Sequence, residues 1–323
     1  MPHRPLTVLY IDDDAALGRL VQRILARKGY AVEHVGDAEA GLARIALGGI
    51  DAVILDHDLG TSSGLEVLAR LAGSEGAPPV VYVTASSELA IAVQALKAGA
   101  VDVGMSADSP AVSAIAGGSK IRIAAAFNNG GLGTSIIVPK DSPLKTLADL
   151  KGKTISPTTR GSVAHYLTLG ALKKAGIGQQ DVKLAFLTPA DASAAFQSGG
   201  VDAWATWGVY KARSIGVLGA RELFDGQGVN TGNIVYAVTV PTLADPAKLK
   251  ALQDYLARID QSYQWARDNR EAFLAFYEGF SKQDRATVEP LYAEQTAYKP
   301  RRIDDEFIAG LQQVHDTWVE AGV

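Results

Sequence analysis

Between Thr7 and Ala98 the chain alternates short, unbroken apolar runs with segments of helical spacing, four times over. Strands are read at Thr7–Ile11, Ala31–His34, Ala52–Leu55 and Val80–Thr84. Helices are read at Ala15–Lys28, Ala38–Ala46, Gly64–Leu71 and Glu88–Ala98. In the first helix Leu17, Leu20, Val21, Ile24 and Leu25 recur at helical spacing. Continuous Val/Ile/Leu runs, without polar alternation, belong to parallel strands buried on both faces. A βαβαβαβα order with right-handed crossovers gives a doubly wound, flavodoxin-like α/β sheet.

Such a sheet places its chemistry at the carboxyl ends of its strands. Asp12, Asp13 and Asp14 follow the first strand, Asp56 follows the third, and Thr84 ends the fourth. Crowded carboxylates repel one another and call for a positive partner. A hard cation with oxygen ligands, Mg²⁺, is the natural one. Asp56 is then the candidate nucleophile toward a phosphoryl group, and the Thr84 hydroxyl the group that senses the product. The competing reading is that these aspartates are helix caps and turn residues.

Composition removes several classes. The chain has 323 residues, 47% of them apolar and 20% charged, which allows two or three packed lobes. It has no cysteine, so disulfide scaffolds, thiolate metal sites and cysteine nucleophiles are excluded. A net charge of −4 gives no footprint for nucleic acid. No apolar stretch is long enough for a membrane span, so no insertion is expected. The apolar run from Leu6 to Ile11 is too short and too soon charged for a secretory leader, which points to the cytoplasm. Residues 1–104 carry 8 Lys and Arg against 13 Asp and Glu, and the remainder 23 against 22. The acidic surplus and the aspartate motifs therefore end at the same place.

The segment from residue 6 to about 100 resembles the receiver domain of bacterial response regulators (CheY-like). Asp12 and Asp13 match that family's Mg²⁺-binding acidic pair, Asp56 its phosphoacceptor, and Thr84-Ala85 its switch position. The resemblance implies a phosphorelay and a histidine kinase as partner. One departure stands out: Ser106 occupies the position of the family's lysine. Serine cannot neutralise a phosphoryl oxygen, so phosphorylation of Asp56 is expected to be weak or uncoupled.

Beyond residue 104 a second α/β pattern begins. Gln94–Asp102 and Ala194–Asp202 share one plan, a helix ending in Gly and a strand opened by Val-Asp. Strands are expected at Lys120–Phe127, Thr134–Val138, Thr154–Ser156, Val182–Leu187, Val201–Thr206 and Asn233–Val240. Helices are expected at Thr146–Leu150, Val163–Ala175, Ala190–Ser198, Pro246–Asn269, Glu271–Tyr277 and about Asp304–Glu320. Gly130, Gly131 and Gly133 mark the expected hinge. The loop Thr158, Thr159, Arg160, Gly161 and Ser162 precedes a helix and reads as an anion cradle. A second helix is expected after Asp108, with Ser109 as cap and Pro110 in its first turn, and Asp108 and Ser109 are expected to meet the ligand from the side opposite the Thr158–Ser162 loop. Trp207, more than Trp204, is placed as an apolar wall of a cleft. The competing readings are a solvated Arg160, two core tryptophans, and a packing histidine at His165.

Residues 92–323 resemble the substrate-binding proteins of bacterial ABC importers, in the sulfonate, taurine and nitrate branch and its thiamine-precursor relatives. The matching stretches include Gly99–Gly104, Ser109–Val112, Ile137–Pro143, Leu147–Lys153, Gly161-Ser162 and Gly200–Trp204. The resemblance implies a two-lobed, type II periplasmic-binding-protein-like fold. It also implies a small organic anion held between the lobes without chemistry, an ABC permease as partner, and a periplasmic setting. Residues 1–104 would be the receiver-like segment, 105–139 with 233–323 the rest of one lobe, and 140–232 the other. A single sheet is expected to run from the aspartate-bearing strands into Val101–Gly104, so that the receiver-like segment replaces the missing first part of the binding protein. A phosphoacceptor receiver, or a chimera keeping neither activity, are the alternatives.

Overall fold

The computed structural model describes residues 4–60, 62–71, 74, 76–83, 95–96 and 101–323. They fall into two compact units, one reaching Val83 and taking in Ala95, Leu96, Val101 and Asp102, the other beginning at Val103.

The first unit is the expected parallel sheet, β1 (Thr7–Ile11), β2 (Ala31–Val35), β3 (Ala52–Asp56) and β4 (Val80–Val83), in the order β2-β1-β3-β4. Its central strands bury their apolar residues, whereas Val81 and Val83 of β4 are exposed, so β4 departs from the expected burial on both faces. Leu9, Ile11, Val53 and Leu55 are fully buried, and Val67 and Leu68 from helix Gly64–Leu71 close over them. Each such side chain contributes about 1.5–3 kcal/mol by leaving water. Asp14 caps helix Ala15–Ala26 by accepting from the amides of Ala16 and Leu17, and Asp37 caps helix Ala38–Ala46. Gly64 is needed because a Cβ there would lie 2.1 Å from the Asp56 carbonyl oxygen. The close approach seats its helix against the end of β3. Thr84, Ala85 and all of helix Glu88–Ala98 but Ala95 and Leu96 lie outside the described residues.

The second unit holds two sheets. β5 (Val103–Ala107), β6 (Ile121–Asn128), β12 (Asn233–Thr239) and β13 (Lys299–Arg301) form one, in the order β13-β6-β12-β5. β7 (Thr134–Val138), β8 (Thr154–Ser156), β9 (Lys183–Leu184), β10 (Ala203–Trp207) and β11 (Arg221–Asp225) form the other, in the order β11-β7-β10-β8-β9. The chain passes from the first sheet to the second through residues 129–133 and returns through 226–232. These crossings touch, since the Asn129 amide donates to the Gly232 carbonyl. Gly130, Gly131 and Gly133 all take positive φ there, which glycine adopts without steric cost. The expected hinge position is thus the point where the chain changes sheets.

The expected seam is overturned. β5 pairs antiparallel with β12, Val103 opposite Val238 and Ala107 opposite Ile234, and not with β4. Only Val101 reaches the first core. The reason is register: β12 is an apolar strand whose two edges are taken by β5 and β6, so 103–107 completes the second unit's own sheet. β7 differs from expectation too, since it lies between β11 and β10 and belongs to the five-stranded sheet. The expected strand Val182–Leu187 shortens to two paired residues.

The carboxyl-terminal helices tie the two sheets together. Helix Asp305–Ala321 packs on helices Asp108–Ala116 and Val163–Lys174, one from each sheet's layer. Helix Arg285–Val288 packs on helix Gly208–Gly216, and a buried Lys211–Glu294 ion pair reinforces that side. No described helix is long and apolar enough to cross a membrane.

Candidate functional site

In the first unit Asp12 is 3% exposed. Its Oδ2 accepts from the Tyr10 hydroxyl and its Oδ1 from the Asp14 amide at 2.7 Å. His34 Nε2 lies 2.8 Å from the Asp12 carbonyl oxygen. Burial, and then the neighbouring Asp12 carboxylate, push the Tyr10 hydroxyl upward, so it stays a donor. Asp56 Oδ2 accepts from the Asp58 amide at 2.8 Å. Burial raises its carboxyl above the usual range, and Asp12 adds to this, while backbone hydrogen bonds oppose it. Asp13 points to solvent.

Among the described residues no three carboxylate or imidazole groups gather as a cation site requires. The structure places Asp12 close enough to act on the Asp56 carboxyl but does not gather Asp12, Asp13 and Asp56 into one cluster. The physical reason is local, because Asp12 is engaged inside the protein and Asp13 faces outward. The cap reading holds for Asp14. Ser106, standing where a lysine was sought, is buried in β5 of the other unit and donates to the Ala107 carbonyl.

In the second unit the anion-cradle loop is built differently from expectation. Thr158 is fully buried and adopts φ 59°, an outlier for a β-branched residue. Its Oγ1 donates to the Ala205 carbonyl at 2.7 Å and accepts from Trp204 Nε1 at 3.2 Å. The hydroxyl is thus spent on tying the loop to β10 and is not presented to a ligand. Trp204 is core, as one reading allowed. Trp207 is half-buried and packs against the core of its own sheet. Arg160 is exposed, its guanidinium 4.3 Å from the Phe186 ring centroid, which favours the solvated reading over a buried ion contact. Thr159 is half-buried.

Ser162 and Gly161 act through the residue three or four places on. Ser162 Oγ caps helix Val163–Lys174 by accepting from the His165 amide at 3.1 Å, and donates to the Pro157 carbonyl. The Gly161 amide donates to His165 Nδ1 at 3.1 Å. Because Nδ1 accepts, the proton of the neutral ring sits on Nε2. That Nε2–H is buried with no partner. The ring is 4.9 Å from Phe186, edge to face, and 5.2 Å from Trp318. Burial, with Arg160 adding to it, pushes the imidazole down to about 4, so it is neutral at ordinary pH.

Trp318 also donates from Nε1 to the Ser109 carbonyl at 3.1 Å. Ser109 is 1% exposed and its Oγ has no partner. It is not the helix cap, since helix Asp108–Ala116 begins one residue before it, with Ala107 in the cap position. Asp108, also 3% exposed, accepts through Oδ2 from Thr231 Oγ1 at 2.5 Å and Asn233 Nδ2 at 2.8 Å. Burial raises its carboxyl despite those bonds. The neighbouring Asn230 is buried with both amide atoms unpartnered.

The structure thus brings Asp108, Ser109, Gly161 and Ser162 into one network through two residues that were not placed in the site, His165 and Trp318. Their signals were weak: a histidine at the third position of a capped helix, and one tryptophan far along the chain.

Comparison with known proteins follows the same division. Residues 80–272 match the NMT1/THI5 like family, and residues 8–103 match the response regulator receiver domain. A protein of Escherichia coli strain K12 named for binding aliphatic sulfonates is 32% identical over 232 residues, covering 71% of this chain and 70% of its own. The chain belongs to the NMT1/THI5-like family. The transcriptional regulatory protein DltR of Streptococcus agalactiae is 35% identical over 97 residues, 30% of this chain and 43% of its own, so the chain spans under half of that relative. Two solved structures share the fold. The periplasmic aliphatic sulphonate binding protein SsuA from Escherichia coli gives a TM-score of 0.68 at 24% identity, covering 99% of this chain and 88% of its own. The alkanesulfonate-binding protein SsuA from Xanthomonas axonopodis pv. citri, bound to MOPS, gives 0.69 at 22%, covering 99% and 94%. The desulfurization enzyme DSZB has the fold as well, at 0.53 and 16%, covering 78% and 88%.

Proposed function

We propose that the second unit is the substrate-binding component of an ABC importer and holds a small organic anion of the alkanesulfonate class without transforming it. One observation carries the reading. At the starts of two helices, Asp108–Ala116 and Val163–Lys174, a buried donor has no protein partner: Ser109 Oγ and His165 Nε2. Buried polar groups are nearly always satisfied, so two orphans beside one tryptophan call for a ligand. Helix starts add partial positive charge, which favours an anion. The names of the sulfonate-binding relatives agree with that chemistry. No catalytic step is read here, because Asp108 is held by Thr231 and Asn233 and His165 has no nucleophile bonded to it. A phosphorelay role for the first unit, with Asp56 as phosphoacceptor and a histidine kinase as donor, rests on the receiver-domain match alone.

Isothermal titration of the full chain with taurine, short alkanesulfonates and nitrate tests the reading. Saturable heat with a sulfonate is expected. A folded protein that gives none with any of them refutes it.

A further inference from the structure

We propose that the site recognises its anion through neutral donors, His165 Nε2–H and Ser109 Oγ–H, and so selects sulfonates, which carry one charge and no proton, over phosphonates of equal length. This rests on the reading above and assigns its specificity.

The tautomer is set by the protein: the Gly161 amide occupies Nδ1, which leaves Nε2 as a donor. The ring cannot readily turn over, being wedged between Phe186 and Trp318 and fully buried. Trp318 links the two donor residues, its ring 5.2 Å from the imidazole and its Nε1 bonded to the Ser109 carbonyl. The buried charge at the site is that of Asp108, and the cation that acts on His165 is exposed. Asp108 is buried directly before Ser109, with Thr231 and Asn233 both on its Oδ2. Arg160, the cation acting on His165, is exposed and lies over Phe186. Buried Lys211 is paired with Glu294. A single negative charge spread over three oxygens suits dipolar donors. A second charge would be buried beside Asp108 without a cation, which is costly in a low-dielectric setting. A phosphonate that keeps its proton needs an acceptor instead, and the Asp108 carboxylate is already engaged by Thr231, Asn233 and the Ser109 amide.

The test is calorimetry on the full chain with ethanesulfonate and ethylphosphonate at about pH 9.5, where the phosphonate is doubly charged. Wild type is expected to bind the sulfonate at least about tenfold more tightly. His165→Leu should lose about ten- to a hundredfold in sulfonate affinity, the range for a hydrogen bond to a charged group. His165→Gln, whose amide reaches the Nε2 position, should recover most of it, and His165→Asn should not. Equal binding of the two ligands, or full sulfonate affinity in a folded His165→Leu protein, overturns the proposal while leaving sulfonate binding intact. If wild type binds no sulfonate, the functional reading itself fails and this falls with it. Should His165→Leu not fold, nitrogen-15 spectra of the wild-type imidazole decide. A downfield shift of Nε2–H on saturation with ethanesulfonate supports direct donation, and an unchanged resonance refutes it.

Discussion

Asp12 and Asp108 make an instructive pair. Each is a buried aspartate just past the end of a strand or at the start of a helix, and each is 3% exposed. Around Asp12 the hydrogen bonding closes on itself, through Tyr10, the Asp14 amide and His34. Around Asp108 the carboxylate is equally well held, yet its neighbour Ser109 and, across Trp318, His165 are left with unused donors. A carboxylate in a cluster is therefore a poor guide to function by itself. What separates the two regions is whether polar groups remain unsatisfied once the chain has folded.

The largest expected effect falls on the side with spare donors. Trp318 is buried and packs with Val112, Tyr166, Leu169 and Val314 while holding the Ser109 carbonyl. Trp318→Ala should cost about 3–5 kcal/mol in urea unfolding of the second unit. It should also abolish sulfonate binding in titration. A variant that binds as wild type would show that Trp318 does not organise the two donors.

Acid should separate the two regions next. His165 is ordinarily near 6.5 when unfolded and about 4 when folded. The native state thus refuses a proton that the unfolded chain accepts. The stability present above pH 6.5 falls progressively as pH drops to about 4, by about 3 kcal/mol in all. Denaturation curves across that window should show the loss in wild type and not in His165→Gln. An equal slope in both would remove His165 as the cause.

In the first unit the comparison can be reversed. Tyr10→Phe deletes a hydrogen bond to a charged acceptor and should cost about 1.5–3 kcal/mol. It also releases Asp12 Oδ2. Millimolar Mg²⁺ should then raise the melting temperature of Tyr10→Phe more than that of wild type. Equal stabilisation of both proteins would mean that the tyrosine does not compete with the cation.

Much of this was legible before the fold. The parallel strands of the first unit read directly, because runs such as Val8–Ile11 and Ala52–Leu55 are short and apolar, and Asp14 and Asp37 cap the helices that follow the first two strands. The helix Val163–Lys174 was legible for local reasons too, whereas Ser162 was read as a ligand group and proves to be its cap. Two things were not. Strand partners are non-local, so 103–107 reads equally well as the end of one sheet or the edge of another, and only pairing with β12 decides. Orphaned donors are also non-local: His165 becomes interesting only when the Gly161 amide, Phe186 and Trp318 surround it. Thr158 and Arg160 misled because residue type shows that a group can bind an anion, and not whether its own fold has already used or exposed it.

Arg160 gives the smallest and most discriminating effect. A buried arginine gripping the anion would make Arg160→Ala lose about 1.5–3 kcal/mol of binding. An exposed guanidinium over Phe186 is worth about 0.5–1 kcal/mol, so sulfonate affinity should fall less than about fivefold. The substitution has a second consequence that a spectator arginine would not produce. Arg160 helps to keep the imidazole of His165 deprotonated, so removing it should let that ring take up a proton at a higher pH than about 4. Histidine NMR titration of Arg160→Ala should show the upward shift with binding nearly intact. A large loss of affinity with an unmoved titration would return the arginine to the ligand and weaken the case for a site built from neutral donors.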